Sequence, residues 1–200
     1  MQQPKGEARP LFPAGALARY TDDAFETIPI DDLDFQPTGR TGTSSTDSSI
    51  NILEDERFAR LTRFFRECVA DYLDNIVSYD YDDFDIIHAW LNRAGKGAIQ
   101  PMHYHGNSIV SGVYYLQANR SNAPLIFEKN EINTSPYLAI APKEQTLFNA
   151  NRMAFPAESG TCFLFPSNMR HGYDVPNEGP ERISLAFNVM LTGIGLSYRV

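Results

Sequence analysis

Apolar and polar residues in the second half of the chain form short alternating runs, the pattern of strands rather than helices. The runs are rich in β-branched and aromatic residues, and turn residues such as Gly, Pro and Asn separate them. Many short strands at regular spacing are typical of an antiparallel sandwich or barrel, which predicts a mainly β fold. The predicted strands are Phe84–Asn92, Ile109–Leu116, Leu125–Glu128, Thr146–Asn149, Gly160–Phe165 and Ile183–Thr192.

The segment before these strands has a different period. Between Leu53 and Val77, apolar residues recur every three or four positions, which predicts an amphipathic helix packed on the sheet. Further upstream, Leu11–Tyr20 is a candidate outer strand, although a proline and a glycine interrupt it. The polar tract 38–49, rich in Gly, Ser and Thr, is expected to be a surface loop that can cover a site.

Size and composition limit the classes of protein that the chain can belong to. Its 200 residues suit one compact domain, so we expect a flexible tail at 1–10 and a single domain over 11–200. A formal charge of −8 and a pI near 4.9 argue against nucleic acid as a partner. Cys68 and Cys162 indicate no disulfide framework, and neither a signal peptide nor a membrane span is evident. We therefore expect a cytoplasmic protein without a membrane partner.

Three of the four histidines form the candidate metal site. His103 and His105 are two positions apart, and residues at i and i+2 of an extended segment project to the same side. His171 follows the later strand pattern Phe163-Leu-Phe-Pro. Imidazole suits Fe, Zn, Cu or Ni, so three such rings can cover one side of an ion and leave coordination positions open. Alternatively, His105 is not a ligand but a hydrogen-bond donor to one of the ligands, and a carboxylate such as Asp174 or Glu128 completes the metal site.

The fourth histidine, His88, has no candidate ligand beside it in its strand, and we interpret it as an ordinary surface or core residue. Arg182 is more informative, because it opens a strand that is otherwise apolar. Burying a guanidinium is costly unless an anion pairs with it, and its fork geometry matches a carboxylate. Ser184 lies on the same side of the strand and can add a hydroxyl donor. A salt bridge to one of the chain's own acidic residues is the alternative.

Taken together, His-x-His, Ser111-Gly-Val-Tyr-Tyr-Leu, Phe163-Leu-Phe-Pro-Ser-x-x-x-His and Glu181-Arg-Ile-Ser-Leu-Ala-Phe-Asn resemble the iron(II)/2-oxoglutarate-dependent oxygenases. The pattern is most similar to a microbial branch related to prolyl hydroxylases, and it covers about residues 89–189. The resemblance implies a double-stranded β-helix, or jelly roll, with supporting N-terminal helices. It also implies Fe(II) as the metal and 2-oxoglutarate as the cosubstrate.

By the same resemblance, His103 and His171 match the first and last iron ligands, and Arg182 matches the residue that pairs with the distal carboxylate of 2-oxoglutarate. Ser184 and Tyr115 match hydroxyl groups near that carboxylate. The implied reaction consumes molecular oxygen, releases succinate and CO2, and hydroxylates a C–H bond of an amino acid, peptide or small metabolite. Four polar or aromatic residues can meet substrate or cosubstrate or have a structural role instead: Trp90, Asn92, Gln100 and Asn107. Four apolar residues would line the pocket, and a place in the core explains each of them equally well: Val113, Leu125, Phe127 and Phe163.

One departure from the family pattern affects the metal site. The commonest motif is His-x-Asp, whereas this chain has His105 at the Asp position, so its triad would carry one less negative charge. A cupin metalloprotein that does not use 2-oxoglutarate is an alternative, since cupins share the jelly roll and the His-x-His motif. This chain lacks the glutamate that cupins usually have a few residues after the motif, and the cupin alternative gives Arg182 no role. A non-catalytic binding module with structural histidines is the third possibility.

Overall fold

The computed structural model describes residues 15–39, 41–129, 141–146 and 148–194. The predicted tail at 1–10 lies outside the described residues, as does the first part of the candidate strand Leu11–Tyr20. The described remainder of that strand is β1, Ala18–Thr21, which lies at one edge of a sheet.

The predicted amphipathic helix is present as four successive helical segments. Two short 3₁₀ turns, Ile52–Glu54 and Glu56–Phe58, lead into α1, Ala59–Asp71, which ends in a π turn over Tyr72–Ile76. The side chains of Asn51 and Asp55 accept backbone N–H bonds at the start of the two 3₁₀ turns, as expected for N-caps. The buried side of the helix, which includes Leu61 and Phe65, packs on the larger sheet.

The strands form two antiparallel sheets. The larger sheet has the order β1-β9-β6-β11-β4-β3-β2, and the smaller sheet has the order β5-β10-β7-β8. The fold is therefore mainly β, with antiparallel pairing throughout, as the sequence predicted. The remaining strands are β2 Gln36–Pro37, β3 Thr43–Ser45, β4 Tyr81–Ala94, β5 Gln100–His103, β6 Val110–Gln117, β7 Leu125–Glu128, β8 Arg152–Phe155, β9 Thr161–Pro166, β10 Arg170–Tyr173 and β11 Arg182–Ile194.

Strand β11 lies at the centre of the larger sheet, between β4 and β6, and its two sides have different roles. Ile183, Leu185 and Phe187 belong to the apolar core beneath the helix. Arg182 and Ser184 are buried on the opposite side, where they line the space between the two sheets. The period-2 geometry of a strand thus separates a structural side from a polar side.

Buried Asn177 fixes the loop that leads into β11. Its side-chain Oδ1 accepts the Ala123 backbone N–H at 2.9 Å, and its Nδ2 donates to the carbonyl oxygens of Ala94 and Pro180 at 3.2 and 3.1 Å. The side chain is fully buried. These bonds connect the end of β4 to the residues just before Arg182, and so they determine where β11 begins.

Three sequence predictions need correction. Residues Thr146–Asn149 form no strand in their described part but make a turn, and the strand lies later, at β8. The polar tract 38–49 is not all loop, because β3 within it pairs with β4. The predicted strands also omitted β5 and β10, which together carry two of the histidines.

Within the described part of the chain, no helix is long and apolar enough to cross a bilayer.

Candidate metal centre

Two of the histidines face each other across neighbouring strands. His103 is the last residue of β5, and His171 is the register partner of His103 in β10. Directly opposed residues of an antiparallel pair have their Cβ atoms about 4.5–5.5 Å apart, so their side chains meet. The pairing is interrupted between His171 and Tyr173, where β10 has a register shift.

Gly172 occupies that irregular position. A Cβ atom on Gly172 would lie 2.6 Å from the carbonyl oxygen of Gln100 and 2.9 Å from that of Pro101. Both distances are too short for a real contact, so the absence of a side chain allows β10 to approach β5 closely. Glycine is the residue that permits such backbone approach.

His105 reaches the same place from outside the strand. It follows the end of β5, and its backbone N–H donates to the carbonyl oxygen of Ser167 at 2.9 Å. The same-face argument for His103 and His105 is therefore incomplete, since only His103 lies in a strand. Next in the chain, Asn107 has a positive φ of 58° and is exposed in the turn before β6.

The three imidazoles form a compact group. Each ring offers one nitrogen, and these ligand atoms all lie within 4.8 Å of one another. The ring centroids of His103 and His171 are 4.4 Å apart, and the His105 ring is 5.1 Å from each of them. His88 lies on β4 with its side chain exposed, and it is not part of the group.

No carboxylate joins the three rings among the described residues. Glu128 accepts a hydrogen bond from Arg170 at 2.9 Å, and Asp174 accepts one from Arg152 at 2.7 Å. Both acids named as alternatives to His105 are thus engaged in surface ion pairs.

Burial determines the charge state of these rings. Together with a smaller contribution from the neighbouring His103, it lowers the pKa of His105 to about 4 and that of His171 to about 3. Desolvation disfavours the charged imidazolium, so both rings are neutral at pH 7. A neutral imidazole with a free lone pair is the form that binds a metal.

The orientation of two rings also fits a metal. The Nδ1 atom of His103 lies 2.8 Å from the carbonyl oxygen of Pro101, and that of His171 lies 2.9 Å from the carbonyl oxygen of Met169. A carbonyl oxygen only accepts hydrogen bonds, so Nδ1 carries the proton in each ring. The lone pair is then on Nε2, and such outer hydrogen bonds commonly orient metal-binding histidines. The residues present therefore fit a divalent ion.

Arg182 is buried deep in the same pocket, with 4% of its surface exposed. Its Nη2 donates to the hydroxyl of Tyr115 at 3.1 Å, and its Cζ lies 4.9 Å from the Tyr115 ring centroid and 4.4 Å from that of Tyr173. Among the described residues no carboxylate pairs with it, and its Nε has no hydrogen-bond partner. A buried guanidinium without a counter-ion is a receptor for an anion.

The other predicted cosubstrate contacts surround this arginine. Ser184 is the register partner of Asn92 on β4 and of Tyr115 on β6, so these three residues form one row across the sheet. Ser184 is buried and Tyr115 is fully buried, and Asn92 lines the pocket. The sheet thus places amide and hydroxyl groups beside the guanidinium.

The lining of the pocket between the sheets tests the remaining predictions. Trp90, Gln100, Val113 and Leu125 line it as predicted, whereas Asn107, Phe127 and Phe163 do not. The last two belong to the apolar cluster behind the pocket wall. Sequence reasoning missed Tyr173, which lines the pocket beside Arg182, because β10 is too short to show a periodic signal.

Comparison with known proteins identifies the family. Residues 88–188 match the model of the family described as "Putative 2OG-Fe(II) oxygenase", a stretch of 101 of the 200 residues. This stretch includes all seven residues of the predicted metal and cosubstrate sites. By sequence alone, no curated protein is significantly similar to the chain.

Solved structures show the same fold at low sequence identity. HygX from Streptomyces hygroscopicus, with nickel, 2-oxoglutarate and hygromycin B bound, superposes with a TM-score of 0.55 at 15% identity, covering 84% of this chain and 76% of that one. A Pseudomonas putida prolyl-4-hydroxylase gives a TM-score of 0.54 at 14% identity, covering 88% and 92%. The predicted jelly roll is confirmed by these oxygenase structures, and the family match excludes the cupin and non-catalytic alternatives. The chain belongs to the 2OG-Fe(II) oxygenase family and is, as its motifs predicted, an iron(II)- and 2-oxoglutarate-dependent dioxygenase.

Proposed function

We propose that His103, His105 and His171 hold Fe(II), and that Arg182 binds the distal carboxylate of 2-oxoglutarate. The observation that carries this assignment is the position of three neighbouring imidazoles and a buried guanidinium, without a carboxylate partner among the described residues, around one pocket. The cosubstrate is a dianion with carboxylates at both ends, so it can reach the metal and the arginine together.

The polar row beside Arg182 completes the cosubstrate site in this proposal. Ser184 and Tyr115 direct hydroxyl groups at the distal carboxylate, and Asn92 adds an amide donor. Tyr173 and Tyr115 contact the faces of the guanidinium and hold its plane. Hydrogen bonds that involve charged groups are roughly twice as strong as neutral ones, and the buried setting strengthens them further.

The metal, when bound, supplies the redox chemistry: 2-oxoglutarate, O2 and a substrate C–H group give succinate, CO2 and a hydroxylated product. The chain's own residues bind the metal and the cosubstrate, orient them and exclude water from the pocket. An all-histidine triad carries one less negative charge than the common triad with a carboxylate. We therefore expect weaker Fe(II) binding than in His-x-Asp relatives.

The substrate is proposed to be a peptide or a small molecule with an accessible C–H bond. Trp90 and Gln100, both half-buried, line the pocket beside the histidines, and the Trp90 ring centroid lies 5.7 Å from that of His105. The solved neighbours bind such molecules: hygromycin B in HygX, and a peptide fragment in the Trichoplax adhaerens prolyl hydroxylase. Among the described residues that line the pocket, Arg182 is the only Asp, Glu, Lys or Arg, which favours a neutral group at the reaction position.

Two broader expectations remain part of the proposal. Residues 11–200 form a single domain, which the shared pocket between the two described sheets supports. The protein functions in the cytoplasm, which is supported by the two buried cysteines being free thiols.

Metal content tests the ligand assignment. His171→Ala should lose Fe(II) or a surrogate divalent metal, because a neutral buried ligand is removed, and it should no longer form succinate. His88→Ala is the matched control, since His88 is the exposed histidine outside the group. Elemental analysis after anaerobic reconstitution, together with succinate formation, measures both. Retention of wild-type metal affinity and turnover by His171→Ala would show that the site is elsewhere.

A further inference from the structure

The three histidines differ in the group that lies next to their Nδ1 atom. His103 and His171 each have a backbone carbonyl oxygen at Nδ1. The Nδ1 atom of His105 instead lies 3.5 Å from Nδ2 of Asn188, an amide on the central strand β11. His105, the residue that departs from the common family motif, is thus also the histidine whose Nδ1 atom lies next to a side chain.

Asn188 belongs to a buried chain of polar side chains. Its Oδ1 lies 2.7 Å from the hydroxyl of Ser111, which lies 2.9 Å from the hydroxyl of Ser167. The exposed fractions of Asn188, Ser111 and Ser167 are 6%, 2% and 1%. The backbone carbonyl of Ser167 in turn accepts the N–H of His105 at 2.9 Å. The hydrogen bonds therefore form a closed ring that begins and ends at His105.

The side-chain hydrogen bonds of this ring can run in two directions, because each hydroxyl has a single proton, whereas the backbone bond from His105 to Ser167 has a fixed direction. In one direction, Ser167 donates to Ser111, Ser111 donates to Asn188 Oδ1, and Asn188 Nδ2 donates to His105 Nδ1. The proton of His105 is then on Nε2, where it blocks a metal. In the other direction, His105 Nδ1–H donates to Asn188 Oδ1, Asn188 Nδ2 donates to Ser111, and Ser111 donates to Ser167.

Only the second direction leaves the Nε2 lone pair of His105 free. The two directions differ by a half-turn of the Asn188 amide, whose oxygen and nitrogen occupy nearly the same volume, and the second direction places Oδ1 at the position where the structure has Nδ2. The net charge of the site is the same in both. Resting on the ligand set proposed above, we propose that Asn188 is the positioning residue of His105: its amide accepts the Nδ1 proton and holds the ring in the tautomer that can bind the metal.

The tautomer itself is the first measurement. Zn(II) is a diamagnetic probe that histidine binds well, and long-range ¹H–¹⁵N correlation of histidine-labelled protein distinguishes an Nδ1–H ring from an Nε2–H ring. In the Zn(II)-loaded wild-type protein, His105 should show an Nδ1 proton that exchanges slowly with water. A deprotonated Nδ1 at His105 in the loaded protein would overturn the proposal without any variant.

Variants then separate positioning from packing. Asn188→Leu has similar volume but cannot accept the proton, and we expect its Zn(II) affinity to fall by about 10- to 100-fold, the usual effect of losing an outer partner. Asn188→Asp keeps the acceptor, and Ser111 can donate to its second oxygen, so its affinity should stay at or above the wild-type value. Loss of affinity in both variants would indicate a packing role and refute the proposal.

A double-mutant comparison shows whether Asn188 acts through His105. In a His105→Ala background, the change Asn188→Leu should leave the remaining Zn(II) affinity unchanged, since the group that it orients is gone. An undiminished effect in that background would contradict the inference. If wild-type protein binds no Zn(II) at all, the proposed ligand set fails; if it binds Zn(II) and Asn188→Leu binds equally well, only the inference fails.

Discussion

Replacing Arg182 with glutamine should change cosubstrate affinity and protein stability in opposite directions. The guanidinium is 4% exposed and has no carboxylate partner among the described residues. Two charge-assisted hydrogen bonds to the distal carboxylate are worth roughly 3–5 kcal/mol together. Because about 1.4 kcal/mol corresponds to a factor of ten, the dissociation constant for 2-oxoglutarate should rise by roughly 100- to 4,000-fold.

The ligand-free protein should not suffer the same loss. Arg182→Gln removes one hydrogen bond, to Tyr115, and the contacts with the two tyrosine rings, a loss of roughly 2–3 kcal/mol. It also removes the cost of burying an unpaired cation, which is on the order of several kcal/mol. The second effect is as large as the first or larger, so the melting temperature of the ligand-free variant should equal or exceed that of the wild type.

Calorimetric titration of the Zn(II)-loaded protein with 2-oxoglutarate measures the first effect, and thermal unfolding without ligand measures the second. Arg93→Gln is the matched control: Arg93 is also a strand arginine, with its Cζ 4.2 Å from the centroid of the Phe35 ring, but it lies outside the pocket. It should leave the cosubstrate affinity unchanged. An Arg182→Gln protein that binds 2-oxoglutarate within a factor of about three of the wild type, and still binds metal, would refute the anion-receptor reasoning.

Two further predictions concern the metal site. Gly172→Ala should weaken metal binding by at least tenfold, because the added Cβ would lie 2.6 Å from the Gln100 carbonyl oxygen and must push β5, with His103, away from His171. Gly95→Ala is the control, since a Cβ there meets nothing within 4 Å. Equal metal affinity in the two variants would contradict the argument. The metal-free protein should lose stability as the pH falls below 6.5 towards 4, since His171 keeps a pKa of about 3 when folded and returns to 6.5 when unfolded, so that the unfolded chain binds the extra proton. The slope from this group is about 1.4 kcal/mol per pH unit. His105, with a pKa of about 4 when folded, adds a similar slope, so His171→Gln should remove about half of the slope that the two histidines contribute, as denaturant unfolding at several pH values would reveal.

The strands that the sequence predicted correctly are those whose residues alternate between two different environments. In β11, apolar residues that pack under the helix alternate with polar residues that face the pocket, so both the strand and the special position of Arg182 are evident from the pattern. Strand β8, Arg152–Phe155, was misplaced because three of its four residues are exposed. Without a buried side, a strand has no periodic signal.

The site was recognised only in part for a related reason. Histidine and arginine spacing identified the ligand types, but the contact between Asn188 and His105 joins residues 83 positions apart. Tyr173, which contacts the guanidinium, belongs to a four-residue strand that carries no pattern of its own. Contacts of this kind depend on the register between strands, and no local window of sequence contains that information.

The sequence by itself therefore determined the fold class and predicted a site of three histidines and an arginine, because alternation and the cost of burying a charge act locally. The tertiary structure alone decided that His103 and His171 are register partners, that His105 arrives from beyond a strand end, and that Asn188 lies behind it. These positions follow from packing two sheets against each other. That packing is a property of the whole chain, since each sheet is assembled from strands that are distant in sequence.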